Sequence, residues 1–584
     1  MTKLKITRGP VKERLERLTI PWMLARSRQD FGPRVAMRFH DGSQFKAITY
    51  NEFWGMVSQA AASLRKAGVG RGDRVAILAE NRPAWGAVYF ATLFLEGINV
   101  PLDALLKPPD WSFILRDSEA KVLVTSAKFC PEVERFRREI NSLKMIVSMD
   151  PRDCVPEYLF SDPNPSEISP PDTDIDEVAV ILYTSGTTGL AKGVMLSHGN
   201  ITSDIYAMTR MMELYPEDNF ISMLPLHHTF ECTCGFLTPL SQGASITYAR
   251  GLASKLIVED IRNNKSTVML GVPLIYEKMF AGLMKAIAQK PVAVRGMVGV
   301  LSGLSKLLKR SANFEIGSKL FGGLRQRSGL SSLRLMITGG AAMSPEIAEA
   351  FNCLGFRLIQ GYGLTEASPV LTLNPMAAYK NMSIGKALPG VQIRIGQMDE
   401  AGIGELVAKG AMVMKGYYRN PEATAQVLKD GWLFTGDIGY VDKSGFYYIT
   451  GRKKNVIVTP GGKNLYPEEI EYALNRSPFI LESLVTGQPV RGSGGGEEIK
   501  ATIVPDLEYF GLVASQKRIR LTDDFVERTI KDEVAAQSEQ LAVYKRVKRV
   551  VLRAEDFEKT STRKIKRYLY IEKPVQVPTT SKEE

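Results

Sequence analysis

Five cysteines and four histidines are few for 584 residues. They are scattered, and Cys232-Thr233-Cys234 has no second pair at metal-ligand spacing. No zinc site is expected from this cysteine spacing, and a reduced, cytoplasmic setting is expected. No apolar run reaches membrane-spanning length without a charge. Met1-Thr2-Lys3-Leu4-Lys5 opens on charge rather than on an apolar signal core, so the chain is expected to be soluble or peripheral. No internal repeat is present, and residues 574–584 lack periodicity, which predicts a disordered tail.

What is present is apolar material and positive charge. With 44% hydrophobic residues the chain is expected to bury several cores in more than one domain. A net charge of +12 admits nucleic acid, an anionic membrane surface or a polyanionic cofactor as partner. No basic run has the pattern of a zinc finger or an RNA-recognition motif, so nucleic acid is set aside. Residues 297–327 place Lys306, Lys309, Arg310, Lys319, Arg325 and Arg327 among leucines and glycines. This stretch reads first as a solvated amphipathic helix pair, with an anionic membrane contact as the alternative.

Local patterns alternate. Asn51 is expected to cap a helix reaching about residue 67, before a strand over 74–78 and a helix over 83–96. A strand over 122–125 and a helix over 131–140 follow, a rhythm that predicts layered α/β structure with parallel sheets. A Pro/Asp-rich connection at 161–172 closes a first subdomain, and a second alternating run covers 178–385. Short strands at 391–395 and 405–408 among glycines predict a small β-barrel-like subdomain over 386–453. The expected fold is therefore α/β. A large N-terminal domain, 1–453, has subdomains 1–177, 178–385 and 386–453, and a smaller C-terminal α/β domain spans 454–573.

Chemistry concentrates after the apolar run 178–182, in Tyr183-Thr184-Ser185-Gly186-Thr187-Thr188-Gly189-Leu190-Ala191-Lys192-Gly193. Glycines let backbone N–H groups face a ligand, hydroxyls add donors and lysine adds charge, which suits a polyphosphate. No Gly-Lys-Ser/Thr closes the loop, which excludes a P-loop kinase or ATPase. Further on, the apolar run 335–338 enters Gly339-Gly340-Ala341, small residues that let a flat ring approach the backbone. Gln360-Gly361-Tyr362-Gly363-Leu364-Thr365-Glu366 offers an aromatic face, a hydroxyl and a hard carboxylate suited to Mg²⁺.

In this order the motifs resemble those of the adenylate-forming superfamily of acyl-CoA synthetases, firefly luciferases and nonribosomal peptide adenylation domains. The likeness spans essentially the whole chain. It is most like bacterial long-chain fatty acyl-CoA synthetases (AMP-forming) at 79–85, in the insert at 297–327 and in Thr562-Arg563-Lys564-Ile565-Lys566-Arg567. Ala191, Asn455 and Arg563 replace the superfamily's usual proline, aspartate and glycine.

The resemblance implies ATP and Mg²⁺ as cofactors and coenzyme A as acceptor, all consistent with a basic chain. It assigns Thr184, Ser185, Gly186, Thr187, Thr188, Gly189 and Lys192 to the phosphates. Gly340, Ala341, Gln360, Gly361 and Gly363 form the nucleotide surface, with Tyr362 on adenine and Thr365 on the α-phosphate. Glu366 and Thr188 hold the metal. Asp437 takes the ribose hydroxyls, with Arg452 beside it. His228 sits next to the reacting carboxylate, and Lys564 bridges carboxylate and α-phosphate. The smaller domain is mobile about the hinge Lys454, which swings Gly461 and Gly462 in for thioester formation. An acyl tunnel is expected to draw on Phe230, Phe236, Val272, Pro273 and Tyr276.

The implied reaction activates a fatty acid, long-chain by likeness, through an acyl-adenylate to acyl-CoA, releasing AMP and pyrophosphate. Within the superfamily the alternatives are an aryl-CoA ligase and an acyl-acyl-carrier-protein ligase, the latter with a carrier protein as partner. A non-catalytic nucleotide- or membrane-binding module is the alternative of a different class; intact Lys564, Glu366, Asp437 and Thr188 argue against it. Peripheral contact with the inner face of the membrane, and a monomer or homodimer, stay open.

Overall fold

Alternation of β-branched runs with amphipathic helices produces two large sheets. The computed structural model describes residues 18–151, 155, 157–184, 191–312, 317–460, 463–489, 496–560 and 565–571. The chain forms two compact units. One comprises Met1–Arg394, Val407–Thr435 and Val441–Tyr448; the other comprises Ile395–Leu406, Gly436–Tyr440 and Ile449–Glu584.

In the first unit a seven-stranded sheet has at its centre the parallel strands Val178–Thr184, Ile98–Pro101, Arg74–Leu78 and Val122–Thr125. A nine-stranded sheet includes Asn219–Ser222, Val268–Gly271, Leu335–Thr338 and Leu358–Gly363, also parallel. The sheets are mixed rather than purely parallel: Lys192–Ser197 runs antiparallel to Val178–Thr184, and Val370–Leu373 antiparallel to Leu358–Gly363. The antiparallel pairs arise because loops of the functional motifs reverse the chain directly, without the crossover helix that a parallel connection needs.

Helix Pro83–Phe94 is apolar all round, and each of its 12 residues is buried, as a central helix must be. Trp85 stacks on Tyr89 at 5.4 Å, and Phe236 meets the Trp85 ring edge-on at 6.1 Å. Gly86 permits this approach, since a Cβ there would lie 2.7 Å from the Phe236 ring. The first long helix, Tyr50–Lys66, is capped by Thr49 and not by the expected Asn51. Thr49 Oγ1 accepts from Glu52 N while Glu52 Oε2 accepts from Thr49 N at 2.7 Å, so the reciprocal box wins over a lone Asn.

Strands Gln392–Gly396, Gly404–Lys409, Leu428–Lys429, Trp432–Val441 and Tyr447–Arg452 form a five-stranded half-barrel sheet. In the second unit a three-stranded sheet, Ile480–Pro489, Glu497–Pro505 and Arg549–Leu552, packs with helices around Ile470, Leu474, Val485, Ile503, Phe510 and Ile530.

The structure adds detail to two expectations. Helix Val292–Ala312 is not simply a solvated amphipathic element. Val298 and Leu301 pack inward and Ser305 Oγ donates to Cys353 O, yet Met297, Val300, Leu304 and Leu307 form an exposed apolar stripe on another face. Cys232, Cys234 and Cys353 are free thiols, whereas Cys130 is disulfide-bonded, so the chain is not thiol throughout.

Candidate active site

The expected phosphate loop leaves strand Val178–Thr184 and returns as Lys192–Ser197, with Thr184 opposite Lys192 across the ladder. Its residues Ser185, Gly186, Thr187, Thr188 and Gly189 lie outside the described residues. The returning strand is paired on its other edge by Gly416–Tyr417, with Tyr417 opposite Val194. From there the Tyr417 hydroxyl donates to Glu366 Oε1 at 2.8 Å, and Lys192 Nζ lies 5.3 Å from the Tyr417 ring centre. Burial, and then the Glu366 charge, push the Tyr417 phenol well above its ordinary range, so it stays a donor.

Glu366 follows strand Leu358–Gly363 in the short turn Thr365–Ala367, and its carbonyl accepts from Met414 N at 2.9 Å. Gly363 is required here: a Cβ would fall 1.7 Å from Pro369 O. Tyr362 pairs with Thr372 and Gly361 with Leu373, while Gln360 O accepts from Asn374 N. Gly340 and Ala341 follow strand Leu335–Thr338, where Gly340 has a φ of +83°. A hard carboxylate fixed by a phenol fits the expected Mg²⁺ role, and of the two expected ligands Glu366 lies among the described residues and Thr188 outside them.

The substrate side is built on the segment after strand Asn219–Ser222. Asn81 holds it: Asn81 Oδ1 accepts from Leu226 N at 2.9 Å and Nδ2 donates to Leu224 O at 2.6 Å. His227 and His228 follow, with ring centres 4.4 Å apart. The expected acyl residues separate into different surroundings. Phe230 lies against Gly339, 3.2 Å from where a Cβ would be, and Val272 similarly faces Gly340 at 3.8 Å. Pro273 opens the helix Pro273–Ala288. Tyr276 instead donates to Met269 O and Ile337 O inside a core, and Phe236 belongs to the core around Trp85.

Glu231, just beyond, is wholly buried, and neither carboxylate oxygen has a hydrogen-bond partner among the described residues. Desolvation pushes its carboxyl up to about 8, with the neighbouring Ser222 offsetting a little.

In the second unit Arg452 Nε donates to Asp437 Oδ1 at 2.8 Å, and the Asp437 side chain is 5% exposed. The preceding Gly436, at a φ of +72°, donates its N–H to Glu405 Oε1, whose other oxygen accepts from Lys453 Nζ at 2.9 Å. Lys454 lies in the short turn Lys453–Asn455. Asn455 Nδ2 donates to Glu468 Oε1, which accounts for the departure to Asn: an aspartate would set two carboxylates face to face. Gly461, Gly462 and Lys564 lie outside the described residues.

Sequence reasoning missed Tyr417, Asn81 as a clamp, and Glu231. The acid in an otherwise apolar run after Phe230 was a usable signal for the last; a tyrosine in Gly-Tyr-Tyr and one asparagine were not.

The fold and these motifs define an adenylate-forming enzyme class, and comparison agrees. Residues 24–418 match the model of the AMP-binding enzyme family. The chain belongs to that family. It is 29% identical over 507 residues to a long-chain-fatty-acid–CoA ligase of Rattus norvegicus, covering 81% of this chain and 76% of that one. It is 31% identical over 493 residues to a feruloyl-CoA synthase of Amycolatopsis sp, covering 83% and 88%. A crystal structure of an anthranilate CoA ligase in complex with anthranoyl-AMP superposes with a TM-score of 0.75 at 24% identity, covering 96% of this chain and 98% of that one.

Proposed function

We propose that this chain is an AMP-forming carboxylic acid–CoA ligase, with a long-chain fatty acid as its substrate. The observation that carries the adenylation reading is the Glu366–Tyr417 hydrogen bond, which ties the Tyr-Gly-x-Thr-Glu turn to the strand leaving the phosphate loop. Relatives include both fatty and aromatic acid ligases, so the acid is the part to test.

In the first half-reaction a substrate carboxylate oxygen bonds to the α-phosphorus of ATP and the bond to pyrophosphate breaks. Lys564 and Thr188 are assigned to stabilise the growing negative charge, and His228 to orient the carboxylate. Glu366 and Thr188 would hold Mg²⁺, which neutralises phosphate charge when bound. In the second, the coenzyme A thiolate attacks the acyl carbon and AMP leaves, after rotation about Lys454 exchanges Lys564 for the Gly461-Gly462 loop.

The test is AMP and pyrophosphate release from Mg·ATP with palmitate, octanoate and ferulate, with and without coenzyme A. Palmitate is expected to give AMP and thioester. Apparent affinity is expected to rise about fourfold per added methylene, from about 0.8 kcal/mol per buried CH₂. Preference for ferulate moves the assignment to an aryl-CoA ligase. Adenylate that coenzyme A never accepts moves it to a carrier-protein ligase, and no turnover with any acid leaves a binding protein.

The same reading places the enzyme at a membrane surface to collect its substrate. Among the described residues no helix is long and apolar enough to cross a membrane, so the contact is peripheral. The exposed stripe Met297, Val300, Leu304 and Leu307 suits an interface, while Lys306 on the same helix is paired with Glu349 at 2.8 Å. The protein is expected to float with phosphatidylglycerol vesicles, and V300D with L307D to abolish flotation. A wild-type protein that stays in the aqueous fraction refutes this contact.

A further inference from the structure

Asp103, His227 and His228 bring three metal-ligating groups to one place. Asp103 follows strand Ile98–Pro101 of the seven-stranded sheet, and the histidines follow strand Asn219–Ser222 of the nine-stranded sheet. One ligand atom from each lies within 4.8 Å of the other two. His227 Nε2 is 3.3 Å from Asp103 Oδ1, and the two imidazoles are tilted by 44°.

His227 points to a ligand independently. Its side chain is 9% exposed, yet its buried Nε2 has no hydrogen-bond partner among the described residues. Nε2 stands 3.3 Å from Asp103 Oδ1 outside hydrogen-bond geometry, a spacing that two donors of one tetrahedral ion can have. The surroundings hold the donors in place. Asp103 Oδ1 accepts from Leu105 N at 2.8 Å, and Asp103 O accepts from Trp111 Nε1 at 2.8 Å. The Asn81 clamp fixes the backbone just before the histidines. Oriented donors of this kind are what metal affinity requires.

We propose that Asp103, His227 and His228 form a site for a divalent transition metal of the zinc, cobalt and nickel class. Two imidazoles and one carboxylate match the borderline donor preference of these ions, and three protein ligands leave a position open. Mg²⁺ prefers oxygen donors and is assigned to different residues, so the two sites select different ions. The site is regulatory: a metal there engages His228 and takes it from the substrate carboxylate, so zinc inhibits adenylation and a chelator restores it. That consequence rests on the proposed function; metal binding does not.

The test is titration of metal-free protein with Co²⁺, without ATP or acid, followed by visible ligand-field absorption. One Co²⁺ per chain, displaced by Zn²⁺ and not by Mg²⁺, is expected. H227Q and D103N are each expected to weaken binding at least ~10-fold, since loss of even an outer partner of a metal site costs 10- to 100-fold. Circular dichroism of both variants separates lost ligation from lost folding, and anomalous scattering from cobalt-soaked crystals of the unaltered protein locates the ion directly. No ligand-field spectrum, a folded H227Q that binds as wild type, or cobalt located elsewhere overturns the proposal and leaves His227 and Asp103 as an ion pair only. Cobalt bound here with no acid turned over refutes the proposed function alone, and turnover without cobalt binding refutes the metal site alone.

Discussion

Lys564→Ala is expected to lower pyrophosphate release from ATP and palmitate by about 10²–10³-fold or more, the loss typical of removing one aligned charge-stabilising donor. Transfer of the acyl group from a supplied acyl-adenylate to coenzyme A is expected to survive, because the second half-reaction is assigned to the Gly461-Gly462 loop. The described residues on either side are tied into their own unit. Lys559 forms a bridge with Ile565, Lys566 N donates to Glu558 O at 2.8 Å, and Arg567 pairs with Glu471. Rapid-quench measurement of the two half-reactions with the one variant decides the matter. Equal losses in both halves would mean that Lys564 serves binding and not adenylation.

Glu231→Gln is expected to flatten the pH dependence of stability between about pH 6.5 and pH 8. The folded-state carboxyl, pushed up to about 8 by desolvation, keeps its proton where the unfolded chain has released it. The native state then binds more protons than the unfolded state, so stability falls as pH rises and is fully reduced above the folded value. The slope is about 1.4 kcal/mol per pH unit, so the stretch from pH 6.5 to pH 8 amounts to roughly 2 kcal/mol. Glutamine mimics the protonated acid, so the variant is expected to match wild type near pH 5 and to exceed it near pH 8.5.

Other buried groups add to the profile. Asp204, raised by desolvation, has the same sign as Glu231, and Glu471, raised to about 7 in the other unit, does too. His198, lowered to about 4 by burial, stabilises with rising pH, but only below its ordinary range, so it leaves the upper window clear. Cys232, Cys234 and Tyr248 share the Glu231 surroundings and are pushed up further by them. Denaturant midpoints of wild type and E231Q across this window provide the check; parallel profiles would refute the assignment.

Much of the architecture was legible because its causes are local. The strands Arg74–Leu78 and Val122–Thr125 coincide with their expected bounds, since short β-branched runs between turn residues have few alternatives. The Tyr-Gly-x-Thr-Glu turn follows a strand as expected, because glycine is required at the point of close approach. The cap of the helix Tyr50–Lys66 was misplaced by two residues because Asn51 and Thr49 are both good caps, and only the reciprocal Glu52 bond separates them. Helix Val292–Ala312 was read as solvated from its lysines and arginines, while its outward apolar stripe depends on which face the core takes.

By itself the sequence determined the order of elements, the family and the chemical types at each nucleotide motif, since all of these are written in residues near one another. Only the tertiary structure decided what holds those motifs. Tyr417 reaches Glu366 across 51 positions, and Asn81 reaches Leu226 across 145. Asp103 meets His227 from a different sheet. Such pairings leave no periodic or compositional mark, because one hydroxyl, amide or carboxylate looks alike wherever the chain later places it. The same holds for Glu231, whose raised carboxyl comes from the packing of the core around it and not from its neighbours in sequence.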